Sequence, residues 1–378
     1  MKSFSERRIA ILGRGIAGLA LGYRLMQKGL RPTLFGRLDD SASRCAQGVV
    51  ANKGLVFFES PLFAAKLTSL THIQAWLDEL EQSSGLTISR RFQGISEPYW
   101  DAEDFQDLVV RIYRRHFLGC HRTVNQPFVP NEAWPFLTRR PAGYFYYPAD
   151  GWFDVVEALN ALAALTAKGG IRSIERAVVA IDSAVDGGLS LTDDAGLTHG
   201  FDQVILATGA GTPQILESLL PRLPKMFSIG GQTLEIDLPV TSLLPLTQVR
   251  KTLSAIWWQR KLLIGASSWK GAAIDAAALA LDTEQLLAKA GANFGWDVAT
   301  FDRRNVKGRL GTRLRFADRM PAVGSLPHEV WRNRIFLCTG FYKNGLQLAD
   351  LCAQDLVAEL EDKPLRYPAF NPRRLFNS

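Results

Sequence analysis

Apolar residues fall into short uninterrupted runs and into longer runs with helical spacing, and the two kinds alternate along most of the chain. Ile9, Ala10, Ile11 and Leu12 form a run of the kind buried in a parallel sheet. Ile16, Leu19, Ala20 and Leu25 then recur with a period near 3.6, and Thr33, Leu34 and Phe35 make a second apolar run. Arg8 to Arg37 therefore predicts a strand, a tight glycine turn, a helix and a second strand. Further on, Leu62, Leu67, Leu70, Ile73, Trp76, Leu77 and Leu80 predict a helix over 61–86, stopped by Gly85. Residues 87–148, rich in aromatics and arginines, read as short strands, and 153–168 reads as an alanine-rich helix.

An alternating region, Ala177 to Leu191, precedes the buried strand Val204 to Ala207. Residues 223–258 and Leu262 to Gly265 predict a new run of strands, followed by a helix over 282–290. A last buried strand, Arg334 to Cys338, runs through a glycine turn into a helix from about Gly345 to Glu361. The alternation places the chain in the α/β class, with a parallel sheet carrying strand-to-glycine-to-helix units at both ends of the sequence. Two such units would bring two helix N-termini to one ligand. No internal repeat or low-complexity linker separates the parts, so the domains are expected to interleave.

The first glycine turn carries Gly13, Gly15 and Gly18 in a GxGxxG pattern directly after a strand and before a helix. Gly13 permits the turn, Gly15 admits a pyrophosphate to backbone amides, and Gly18 lets the helix lie close on the sheet. This predicts a dinucleotide site. One position breaks the pattern: an acid is expected after the second strand to hold the ribose hydroxyls, and the chain has Gly36 followed by Arg37. Backbone and water could take over the ribose, Asp39 or Asp40 could reach back, or the nucleotide could be held less tightly.

Composition narrows the classes. A chain of 378 residues is long for one core, and 47% hydrophobic with 21% charged residues is ordinary for a water-soluble globular protein. No stretch approaches 18 uninterrupted apolar residues, so no membrane span is expected, and Arg14 and the glycines interrupt any signal peptide. Cys45, Cys120, Cys338 and Cys352 form no CxxC pair, so no metal site is expected and free thiols in the cytoplasm are the default. The formal charge of +7 suits an anionic cofactor, an acidic substrate or RNA without deciding among them.

Specific segments then point to a family. GRGIAG (13–18), SRCAQG (43–48), ATGAG (207–211) and above all GTRLRFADRMPAVG (311–324) followed by TGFYKNGLQLA (339–349) resemble the D-amino-acid-oxidase-like family of FAD-dependent amine oxidoreductases over nearly the whole chain. Within that family the resemblance is to glycine oxidases and to the oxidase half of the MnmC proteins that modify wobble uridines in tRNA. YYPADGWFDV (146–155) and the pair Gly231 and Gln232 support it.

The resemblance implies a Rossmann-like FAD-binding domain, discontinuous over 1–88, 150–217 and 306–378. It also implies an interleaved α+β substrate domain with a mixed or antiparallel sheet over 89–149 and 218–305. The implied reaction is oxidation of a C–N bond in a small amine or amino acid: hydride transfer to flavin N5, hydrolysis of the imine, and reoxidation by O2 or another electron acceptor. The cofactor carries the difficult chemistry, so no triad or metal cluster is needed.

The residues the resemblance places at FAD are Gly13, Gly15, Ile16, Ala17, Gly18, Gly36, Arg37, Ser43, Arg44, Cys45, Ala46, Val178, Thr208, Gly209, Ala210, Gly340, Lys343, Asn344, Gly345 and Leu346. At the substrate end it places Arg313 as the grip on a carboxylate, with Arg315 a near competitor, Lys343 near the pyrimidine end of the flavin, and Tyr342 lining the cavity or packed within it. Cys45 falls near a place where some relatives bond flavin covalently, and is otherwise a buried inert thiol. Residues 111–122 and 303–319 are either a solvated basic face or a phosphate-binding surface for tRNA. The remaining alternative is a binding or scaffold protein on a degenerate flavin fold.

Overall fold

The computed structural model describes residues 3–51, 61–113, 121–123, 136–185, 187–271 and 274–376. Its centre is a six-stranded sheet in the order Ala322–Ser325, Ile335–Thr339, Gln203–Leu206, Ile9–Leu12, Thr33–Phe35 and Arg172–Ile174. All neighbours are parallel except the first pair. The central strand is buried along its length and its side chains part to two cores. Ile9 and Ile11 pack under helices Ile16–Gln27, Pro61–Ser84, Val155–Lys168 and Gly345–Leu360. Ala10 and Leu12 face Phe35, Val178 and the antiparallel meander Val178–Ser183, Leu189–Asp193 and Thr198–Phe201. This two-sided burial is why the strand reads as an unbroken apolar run.

A buried ionic cluster ties the helices of the first core together. Arg24 donates through Nε and Nη2 to both oxygens of Asp350, each at 2.7 Å, and also reaches Glu79. His72 Nε2 lies 2.6 Å from Asp350 Oδ2. The three helices so joined include both whose N-termini face the glycine turns.

The second sheet has seven strands built around the long strand Met226–Arg250, which pairs with Leu253–Gly265 and with Val306–Phe316. Helix Ala276–Phe294 packs on it through Leu286, Leu287, Ala290 and Phe294. Strand Val306–Phe316, placed with the nucleotide-binding segments in the sequence division, is hydrogen bonded along its length to Met226–Ile236 and so carries its residues into this second sheet.

Most predicted elements are found within a few residues of their expected ends. Gly85 closes helix Pro61–Ser84 in a left-handed conformation, φ +74°. The region 87–148 differs: it holds helix Ala102–Tyr113 between its strands. Phe105, Leu108 and Val109 give that helix an apolar face against Tyr99, Phe145 and Tyr147. Helix Ala276–Phe294 is longer than predicted because Asp275 caps it, its side chain accepting from the Ala278 N–H. Among the described residues no helix is long and apolar enough to cross a membrane, and no cluster of His, Cys, Asp and Glu could hold a metal.

Candidate active site

Segments far apart in sequence converge on the first glycine turn. Gly13 has φ +107°, and a Cβ there would lie 2.7 Å from the carbonyl carbon of Ala207, at the end of the neighbouring strand. A Cβ on Gly18 would collide with the Gly13 carbonyl, which is what lets the helix press onto the turn. A Cβ on Gly15 would lie 3.1 Å from Ser43 Oγ, and that hydroxyl accepts from the Ile16 N–H at 3.0 Å. The short turn Ala42–Cys45, within the second predicted loop, thus seats on the N-terminus of the first helix, with Arg44 beside Asp39 and Ala46 closing it.

The last helix begins alongside. Asn344 is its buried N-terminal flank, and a Cβ on Gly345 would stand 3.8 Å from the Ile16 side chain, so two helix N-termini do meet at one place. Ala17 is buried in the first helix, and Leu346 packs partly buried against the same core. Gly340, φ +77°, would collide through a Cβ with the Phe316 ring. On the third side, Thr208 bonds Thr212, and Thr212 bonds Thr339, binding the Thr208–Ala210 turn to the final strand. Gly209, φ +52°, has open space where a Cβ would be. This glycine-lined hollow with helix dipoles aimed into it fits an anionic dinucleotide.

Cys45 lies where the second loop meets strand Val306–Phe316. Its Sγ donates to the Leu310 carbonyl at 2.6 Å, and burial raises its pKa, outweighing the nearby Arg309 and Arg44. A Cβ on Gly311 would lie 3.1 Å from the Cys45 Cβ, so the thiol couples the second loop to the strand that bears Arg313.

That strand and the glycine turn at 340–345 form the other end of the site. The Tyr342 N–H donates to the Leu314 carbonyl at 3.1 Å, and Tyr342 takes φ +53°. Its ring is met by cations on several sides: Arg313 at 5.8 Å, Arg315 at 5.9 Å and Lys343 at 5.5 Å from the centroid. Arg313 and Arg315, two apart on a strand, share one face. Arg315 lies closer to Phe227, at 4.7 Å.

Arg313 is half-buried, and burial lowers its pKa. Its Nη2 donates to the carbonyls of Ser267 at 3.2 Å and Gly230 at 3.4 Å. Its Nε is buried with no hydrogen-bond partner, and no carboxylate among the described residues pairs with the guanidinium. Gly231 is the space-maker here, since a Cβ on it would strike Arg313 Nη2.

The basic runs separate on inspection. Arg303 pairs with Glu284, Arg304 with Asp302, and Arg309 with Glu235. Three of the basic residues of 303–319 are thus paired with acids of the fold. Arg114, Arg115, His116, Cys120 and residues 52–60 lie outside the described residues, as do the side chains of Arg111 and Arg122.

Two residues the sequence reading did not single out bear on the nucleotide end. Arg14, the first variable position of GxGxxG, donates through Nη1 to the Gly36 carbonyl at 3.3 Å and to Glu175 Oε1 at 2.9 Å. Arg37 and Asp40 form a loose exposed pair at 3.9 Å. Val178 is buried in the meander near Phe35.

A parallel sheet with a glycine turn beside a large mixed sheet is an α/β fold of the kind that holds dinucleotides at the carboxyl ends of its strands. The sequence model of the DAO family, FAD dependent oxidoreductases, matches residues 8–360, and the chain belongs to that family. It is 27% identical over 366 residues to the glycine oxidase of Geobacillus kaustophilus, covering 94% of this chain and 93% of that one. It is 26% identical to the bifunctional MnmC protein of Azoarcus, covering 96% of this chain and spanning 58% of that protein. The crystal structure of the Geobacillus glycine oxidase superposes with a TM-score of 0.81 at 24% identity, covering 97% of this chain and 98% of that one. The chain is accordingly an FAD-dependent amine or amino-acid oxidoreductase, and the scaffold alternative, which rested on Gly36 alone, is set aside.

Proposed function

We propose that the protein oxidises the C–N bond of a small amino acid, with Arg313 binding the substrate carboxylate and O2 as the final acceptor. The observation that carries this is the Arg313 guanidinium, half-buried, held by Nη2 to two backbone carbonyls and paired with no carboxylate among the described residues. A planar guanidinium so placed matches a carboxylate through two parallel bonds. Tyr342 walls the space beside it, and its electron-rich face holds Arg313, Arg315 and Lys343 around one point.

This arrangement would hold the substrate by its acid group, and the cations gathered around Tyr342 disfavour the ammonium form of an amine bound close to them. Bound FAD supplies the redox chemistry, taking two electrons from the C–N bond. In the overall balance, amino acid, water and O2 give an oxo acid, ammonia and H2O2. Lys343 and the N-terminus of helix Gly345–Leu360 place positive charge where the cofactor's pyrimidine end is expected.

Anaerobic mixing with glycine, sarcosine and D-amino acids should bleach the flavin absorbance, while amines of the same size lacking a carboxylate should not. Equal bleaching by both would refute the assignment. The likeness to the oxidase half of MnmC supports a second reading, removal of a carboxymethyl group from a wobble uridine. Bleaching only by tRNA bearing carboxymethylaminomethyluridine would select it.

A further inference from the structure

The acid expected to hold the adenosine ribose is missing from its usual strand, and its replacement stands one strand away. Gly36 has φ +116°, a conformation that a residue with a side chain adopts only under strain. A Cβ there would lie 3.6 Å from the Arg14 amide nitrogen, against the glycine loop. The acids nearest in sequence, Asp39 and Asp40, are exposed and only loosely paired, with Arg44 at 3.4 Å and with Arg37 at 3.9 Å.

Register brings up another carboxylate. Phe35 is paired with Ile174, and the Gly36 N–H donates to the Ile174 carbonyl at 3.0 Å. Glu175 therefore leaves the sheet at the same level as Gly36, on the adjacent strand, at the carboxyl ends where parallel sheets of this kind bind nucleotides. Arg14 bridges the two positions, with Nη1 on both the Gly36 carbonyl and Glu175 Oε1. The exposures differ sharply: the Arg14 side chain is 10% exposed and Glu175 is 72% exposed. The guanidinium is buried against the Gly36 carbonyl, and the carboxylate it holds is open to solvent at the carboxyl end of the sheet.

We propose that Glu175 accepts the hydrogen bonds of the adenosine ribose hydroxyls of FAD, with Arg14 as the positioning residue that holds its carboxylate toward the Gly36 edge. The inference concerns cofactor binding and stands apart from the choice of amine substrate. An ionised carboxylate accepts from both hydroxyls of a vicinal diol, which is what the acid at the end of the second strand does elsewhere in this fold.

The test is equilibrium binding of FAD to the apoprotein, followed by flavin fluorescence without substrate. Glu175→Ala should raise the Kd for FAD about 10- to 100-fold, the loss expected for hydrogen bonds to a charged group. An FAD analogue lacking the adenosine ribose hydroxyls should bind wild type and variant alike. An unchanged Kd for FAD, or a penalty of equal size on the analogue, would overturn the proposal. Glu175→Gln, with the same shape, guards against a folding artefact and should fall between the two. Because no turnover is involved, a protein that binds FAD as described but oxidises no amino acid would refute only the function proposed above.

Discussion

Replacing Arg313 tests the substrate assignment most directly, because the structure isolates what the guanidinium does. Nη2 is spent on the Ser267 and Gly230 carbonyls, at 3.2 and 3.4 Å, and no acid of the described protein uses the rest. Arg313→Ala therefore removes no internal salt bridge, and its cost should fall on substrate rather than on folding. Each hydrogen bond to a charged group contributes roughly 1.5–3 kcal/mol, so losing a bidentate pair should lower kcat/KM by about three powers of ten. Arg313→Lys keeps the charge but not the fork, and should lose about one to two powers of ten. The assay is steady-state turnover with an amino acid and with its carboxylate-free amine, after flavin content has been matched by absorbance. The ratio of the two kcat/KM values should collapse in Arg313→Ala. If the ratio is the same as in wild type, Arg313 does not bind the carboxylate, and Arg315 becomes the residue to change.

Other consequences can be measured independently. Asp350→Asn leaves Arg24 and His72 facing a neutral amide in a buried cluster; breaking such a pair costs about 3–5 kcal/mol, and urea unfolding should show it, with a loss below about 1 kcal/mol counting against a shared role for the three helices. Lys66 is buried and titrates at about 8 against an ordinary 10.5, so between those values the unfolded chain binds more protons and stability should rise with pH. The rise should be of order 3 kcal/mol and absent in Lys66→Met; equal rises in both would exclude Lys66 as its source. The Cys45 thiol, protonated and bonded to Leu310, should leave FAD in the supernatant after acid precipitation, and a yellow pellet would contradict that.

What the sequence made legible is what local geometry dictates. The Ile9–Leu12 run, the GxGxxG turn and the terminal strand-to-helix unit follow from period, burial and the few residues that tolerate φ above zero, and each sits where the pattern put it. Helix Ala102–Tyr113 carries the signal in Phe105, Leu108, Val109 and Ile112, which recur at helical spacing, but the aromatic- and arginine-rich composition of the segment around it favours strands. The clustering of Arg313, Tyr342 and Lys343 came from family resemblance. Their distances depend on a bridge between Arg315 and Phe341 that no spacing rule encodes.

Gly36 shows where that legibility ends and why. Read along the chain, it is a defect, because the fingerprint is defined by residues within one strand-helix-strand unit. In the folded molecule the relevant neighbour is set by hydrogen bonding between strands whose residues are far apart in sequence, Thr33–Phe35 and Arg172–Ile174. Glu175 lies in no motif, and nothing in its local sequence marks it. Only the register, together with an arginine at a variable position of the glycine turn, brings its carboxylate beside Gly36. The glycine and the cation meet at one carbonyl: Arg14 donates to the Gly36 carbonyl and to Glu175 together, and so holds beside position 36 the kind of group that position lacks.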